Sequence, residues 1–292
     1  MGRSDNLKKI EQMDTVRDHS QIVKIMVSYE FPWDFQRSYV EMVFVRFFAG
    51  TRMVGLVHGR GYAQAHPQRR YDDTSIMLFE MIKYGYDSVQ RRVCIERMNY
   101  IHGHFLICHE DFAYITASLI LEPIYWNKRF GWRLMSEKEK QAWLYFWLEI
   151  GKRMQIQNLP KSLEEMETFK LEYETQLVRK SQATQELGKT FVDLVSGWFP
   201  LVPTPIVGLF LRCLLDDPSL KAFEIKAPPV VLKNLVEFCL RSRASLLSFL
   251  PERLDSGLFV DRPSRSYPTG NYDLTKIGPP DENLQQRRGI PE

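Results

Sequence analysis

The chain has 292 residues, 44% hydrophobic and 26% charged, which is ample for one sizeable core. Its 39 Lys and Arg against 36 Asp and Glu leave a net charge of +3. No basic face of the kind nucleic acid requires stands out, so no nucleic-acid partner is expected. Cys94, Cys108, Cys213 and Cys239 form no C-x-x-C spacing and no short disulfide framework, and read as reduced, intracellular thiols.

Residues 1–37 are a polar N-terminal segment with weak helical periodicity and no apolar stretch of the signal-peptide kind. From Ser38 to His58, Val40, Val43, Phe44, Phe47 and Phe48 recur at helical spacing and predict a buried helix. Gly59-Arg60-Gly61 and His66-Pro67 mark a break. Asp73 to Tyr84 predicts a second helix ended by Gly85. Ser88 then caps a third, expected to run to about Cys108.

Asp111 to Leu121 predicts a further apolar helix, stopped by Pro123. Ser136 and Glu139 form a capping box for a helix through Met154, and Ser162 with Glu165 opens another through Tyr173. The run Leu194 to Leu211 carries no charge and is broken by Pro200, Pro203 and Pro205. It predicts a helical hairpin turned at Trp198-Phe199-Pro200, either buried or with an apolar tip resting on a bilayer face. Helices continue to Leu250, and residues 251–292 form an extended tail rich in Pro, Gly and charge. Strand signals are almost absent. The expected fold class is all-α, with residues 38–250 as one helical domain, and the expected location is cytoplasmic or peripheral to a membrane.

Of the six histidines, His102, His104 and His109 fall close together. On a helical wheel His102 shares the apolar face of Cys94, Met98, Ile101 and Phe105, while His104 lies roughly 200° away beside Arg97 and Tyr100. An imidazole on a buried face must satisfy two ring nitrogens, by hydrogen bonds or by a metal. Gly103 beside it removes a side chain and would let a flat ligand approach the backbone. On pattern alone a hydrogen-bonded core histidine remains the commoner outcome. Zinc is a poor candidate, because His102 and His109 lack zincin spacing and a third ligand.

A wider pattern shifts that balance. Arg70-Tyr71-Asp72-Asp73-Thr74, then Ser88, Arg97, Asn99 and His102, are followed by Asp111-Phe112-Ala113-Tyr114, Leu121-Glu122-Pro123 and Gly131-Trp132-Arg133-Leu134. Tyr267-Pro268-Thr269-Gly270 and Ile277-Gly278-Pro279 stand in the tail. This order, over roughly residues 38 to 280 of the chain, resembles the mpaB-type oxygenase family, a branch of the group that includes rubber oxygenase, the latex-clearing protein.

The resemblance implies a globin-like helical fold holding one haem b, with His102 as iron ligand in an N-x-x-H-x-x-aromatic pattern formed with Asn99 and Phe105. His104 is the competitor. Arg70 and Thr74 match a distal R-x-x-x-T element. The family's lysine ligand before the Thr is here Asp73, which leaves the distal position open. Asp72 and Asp73 also suit an ordinary acidic helix start. A distal glutamate base has no clear counterpart, Glu41 being the sole carboxylate between Phe35 and Tyr71.

The implied reaction is cleavage of a C=C bond in an apolar, isoprenoid-like substrate by O2. In it Arg70 pairs a propionate or polarises dioxygen and Thr74 donates a hydrogen bond. Arg91, Arg92 and Arg97 are further propionate candidates. A non-catalytic haem sensor or carrier, and a cofactor-free helical scaffold at a membrane surface, are the alternatives.

Overall fold

A computed structural model describes residues 5–49, 51–85, 88–251 and 253–285. The side chain of Val40, one of the expected core positions, lies outside that description. Among the described residues the fold is all-α, with no strand beyond isolated bridges such as Ser264 with Tyr267.

The segment expected to be polar and separate is instead part of the core. Helices α1 (Asp5–Gln12) and α2 (His19–Ile25) lead through a π-helical turn, Met26–Glu30, into α3 (Pro32–Phe35). Ile10, Ile22, Val23, Met26 and Val27 are fully buried there. They are spaced through otherwise polar sequence, which hid the stripe. Glu30 anchors the segment, accepting from Arg133 at 2.8 Å, while Arg133 also meets Glu139 at 2.7 Å.

The expected 38–58 helix is three pieces: a π-helical run Gln36–Met42, α4 (Val43–Ala49) and α5 (Thr51–Arg60). Gly61, at φ 69°, turns the chain into α6 (Tyr62–Ala65). Helix α7 (Pro67–Lys83) starts earlier than expected, with Pro67 in its first turn. Ser88 caps α8 (Val89–His102) by accepting from Arg91 N. This helix stops at His102, six residues short of the expected Cys108.

Helix α9 (His109–Phe130) runs straight through Pro123, contrary to the expected stop. Proline has no N–H, so the carbonyl of Leu119 loses its helical donor. The indole Nε1 of Trp143 supplies one, lying 3.2 Å from both Leu119 O and Ile120 O. The donor comes from the next helix, α10 (Glu137–Arg153), which opens with the expected capping box. Helix α11 (Leu163–Leu177) is capped by Ser162.

Helices α12 (Gln182–Gly197) and α13 (Thr204–Leu214) form the hairpin expected around Pro200. It is buried on one side, through Val195, Val207 and Leu211, and open on the other, where Leu201 is 96% exposed. Helices α14 (Asp217–Ala222) and α15 (Val230–Ser248) follow. The tail is extended apart from single turns and α16 (Asp281–Gln285), and it returns across α7 and α8. Among the described residues no helix is long and apolar enough to cross a membrane.

The main core centres on Trp143, Tyr39 and Phe79. Tyr39 packs edge-on to both rings, at centroid distances of 5.4 and 5.7 Å. It forms one wall of the cavity described next.

Candidate active site

His102 is the last residue of α8, and the chain leaves the helix there as a turn through residues 103–108. Ending the helix at this point lets Phe105 and Ile107 fold over the same space that Met98 and Ile101 reach from within it. That space has two adjoining lobes of about 170 Å³ each. Phe47, Arg70, Met77, Met98, His102 and Phe112 line both. Tyr62, Gly278 and Leu284 close the first lobe, and Tyr39, Thr74 and Trp147 close the second.

The imidazole of His102 packs edge-on to Phe112 at 5.1 Å. Its Nδ1 is buried without a hydrogen-bond partner among the described residues. Burial, reinforced by the charge of Arg70, pushes its pKa down to about 4, so the ring is neutral at physiological pH. A neutral imidazole with an unsatisfied nitrogen, set in an apolar cavity, suits a metal ligand. His104 is placed otherwise. Its Nδ1 lies 2.8 Å from Tyr100 O, and it lines neither lobe.

Arg70 is a cation sunk among apolar side chains, 6.0 Å from the ring of Phe44. Burial lowers its pKa, and it donates to Thr74 Oγ1 one turn along α7. Among the described residues it makes no ion pair within 4 Å. Asp73, its near neighbour, is turned to the tail instead. Oδ1 accepts from Tyr267 Oη at 2.6 Å and faces Arg69 at 3.1 Å, and Oδ2 accepts from Gly278 N at 3.1 Å. Burial raises the Asp73 carboxyl above the usual carboxylate range. Asp72 accepts from Ser266 N at 2.7 Å.

Several expected residues lie elsewhere. Asn99 is exposed and donates to Arg153 O, so its helical neighbour His102 faces the cavity without it. Arg97 points outward to the tail, donating to Ile277 O at 2.8 Å and pairing with Asp281 at 3.1 Å. Arg91 is buried on the far side of α8, bonded to Met81 O over the Phe146 ring, and Arg92 is exposed. Gly103 is exposed and caps α8 rather than opening the cavity. Glu41 pairs with Arg37 at 2.5 Å and accepts from Tyr71 Oη at 3.3 Å. Burial raises it to about 7, and it lines neither lobe.

Sequence reasoning missed Arg60, which closes the first lobe and carries its guanidinium 4.9 Å from the Phe105 ring. It stood between two glycines and read only as a break. Phe112 and Trp147 also line the cavity and were not singled out, because periodicity cannot separate a core face from a cavity wall. Cys108, Glu110 and Asp111 bring ligand atoms within 4.8 Å of one another. Asp111, however, is held by Arg52 at 2.7 Å and by Tyr173 at 2.7 Å.

The chain is similar over 208 residues, at 23% identity, to the ER-bound oxygenase mpaB' of Penicillium brevicompactum, covering 66% of this chain and 49% of that protein. It is 25% identical over 170 residues to the ER-bound oxygenase mpaB of Penicillium roqueforti, covering 53% and 57% respectively. The chain thus spans about half the length of the curated relatives it matches. Its fold superposes on that of latex clearing protein LCP in the closed state with a TM-score of 0.63 at 13% identity, over 85% of this chain and 73% of that one. No family model matches the chain.

Proposed function

We propose that this chain, a member of the mpaB and latex-clearing-protein family, is a haem-dependent oxygenase that cleaves a C=C bond of an apolar, isoprenoid-like substrate with O2. One observation carries the proposal: a neutral imidazole, His102, with a buried ring nitrogen lacking a hydrogen-bond partner among the described residues, faces a lobe walled by apolar side chains and one cation, Arg70. The oxygenase names of the relatives support the reaction class.

When bound, a haem b held by His102 would supply the redox chemistry by which dioxygen splits a double bond into two carbonyls. The chain's own residues have definable parts. His102 offers a ring lone pair that burial keeps free of protons. Arg70 places a fixed positive charge at the junction of the two lobes, where a propionate or developing negative charge is stabilised in low dielectric. Thr74, oriented by Arg70, presents a hydroxyl to the second lobe. Met77, Met98, Ile115 and the aromatic walls exclude water and fit a greasy substrate.

The test is the absorption spectrum of the protein reconstituted with haem, beside His102→Ala and His104→Ala. A Soret band lost in the first variant and kept in the second is the expected result. Loss in His104→Ala alone would move the ligand to His104, and a wild type that takes up no haem would leave a cofactor-free scaffold.

A further inference from the structure

The α12–α13 hairpin and the neighbouring α15 leave an exposed apolar surface. At the hairpin tip Phe199, Leu201 and Val202 are 49%, 96% and 38% exposed. Ile206 and Phe210 continue the row along α13 at i, i+4 spacing from Val202, at 57% and 43%. Helix α15 packs beside α13, its Val236 and Leu240 meeting Cys213 in one buried cluster. Its outward side carries a second row: Val231 at 81%, Leu235 at 54%, Phe238 at 67%, then Leu246 and Phe249 at 68% and 86%. These positions stay within one face of the helix at 100° per residue. Exposed apolar side chains scattered singly are ordinary, but two adjoining rows with a protruding tip are not.

The charges around these rows favour one occupant. Three acidic side chains of this region are already matched: Glu224 with Lys180, Glu237 with Arg129 and Arg241, and Asp216 with Arg46. Arg212, Lys221, Lys226 and Lys233 have no carboxylate within 4 Å among the described residues. Exposed Asp193 and Asp217, with no cation within 4 Å among the described residues, offset them in part. An apolar face rimmed by unmatched cations is the pattern of a helix pair lying in the plane of an anionic lipid surface, its apolar residues among the acyl chains and its lysines at the headgroups. A second copy of the same face would bring these cations against one another.

We infer that the 199–212 tip and α15 form a monotopic docking face for a bilayer carrying anionic headgroups. The hairpin would enter the acyl boundary, and Arg212 and Lys226 would meet the lipid phosphates and carboxylates. No spanning helix is needed, and none is present among the described residues. This inference stands apart from the haem proposal, because none of its residues lines the cavity.

The test is co-sedimentation of the full chain with phosphatidylcholine vesicles and with vesicles containing about a third phosphatidylserine. Binding to the second set, weak binding to the first, and loss of most binding at high salt are expected. Leu201→Asp with Phe210→Asp, and separately Val231→Asp with Phe238→Asp, are each expected to lower the fraction bound about tenfold or more. All four positions are solvent-exposed, so an unchanged circular-dichroism melt accompanies the loss. No binding of the wild type to either vesicle set overturns the inference. So do undiminished binding by both double variants, and a stable dimer in light scattering that Leu201→Asp dissociates.

Discussion

The phenol of Tyr267 donates to Oδ1 of Asp73 at 2.6 Å, joining the tail to the helix that carries Arg70 and Thr74 across 194 positions of sequence. Asp73 occupies the place where the resemblance sets a lysine ligand, yet the tail holds both of its oxygens. Gly278 supplies the second bond and sits at φ 95°. A Cβ there would lie 2.6 Å from the Cδ1 of Ile101, the residue before His102. The glycine therefore answers two demands, left-handed backbone and close approach to α8. Position 73 lies on the wall of the first lobe and anchors the strap that closes it.

Tyr267→Phe is expected to lower unfolding stability by about 1.5–3 kcal/mol, the range for a hydrogen bond to a charged, buried acceptor. The loss should concentrate in the strap, so limited proteolysis is expected to cut within residues 264–280 well before the helical core. Urea unfolding measures the first effect and peptide mapping the second. An unchanged midpoint together with an uncut tail would show that the strap is held by other contacts, with Arg97 and Arg60 as the available ones.

How far the sequence reached is clearest at α8. The wheel put His102 on the apolar face and Arg97 on the other side, while the resemblance pointed to the same histidine but brought Asn99 and Arg97 into the site with it. Local periodicity holds no information about the tail, which comes from about 180 residues away to claim Arg97. The same reason explains Pro123, whose rescue by Trp143 lies on another helix. All-α character, the capping serines and the hairpin at Pro200 are local properties, and all were legible. The buried helices of residues 5–35 were not, because their few apolar positions acquire meaning only once α10 and Arg133 are in place.

Arg70 is expected to trade stability for function. A cation enclosed by apolar side chains and without an ion pair is costly to keep. Arg70→Met fills similar volume without charge, and should leave the haem-free protein as stable or more stable, by about 1–3 kcal/mol. The same change is expected to abolish oxygen-dependent substrate consumption. Thermal melts and oxygen uptake separate the two readouts. A variant that is both markedly less stable and fully active would place Arg70 among structural residues.

His102 and Glu41 give opposite slopes of stability with pH. Burial depresses His102 from its ordinary 6.5 to about 4, so the unfolded chain binds the extra proton. Its stability contribution is intact above pH 6.5 and is lost as the pH falls toward 4. Burial raises Glu41 from 4.5 to about 7, so here the native state holds the extra proton. That contribution is intact below pH 4.5 and is lost as the pH rises toward 7. Between pH 4.5 and 6.5 the two cancel, one proton against one. Removing either exposes the other. Relative to wild type, Glu41→Gln should lose about 1 kcal/mol per unit as the pH falls through this window, and His102→Ala should gain about as much. Urea midpoints of the three haem-free proteins at about pH 5 and 6 measure the slopes. Parallel lines for all three would mean that neither group titrates as its burial demands, and with that the neutral imidazole on which the haem site rests would lose its basis.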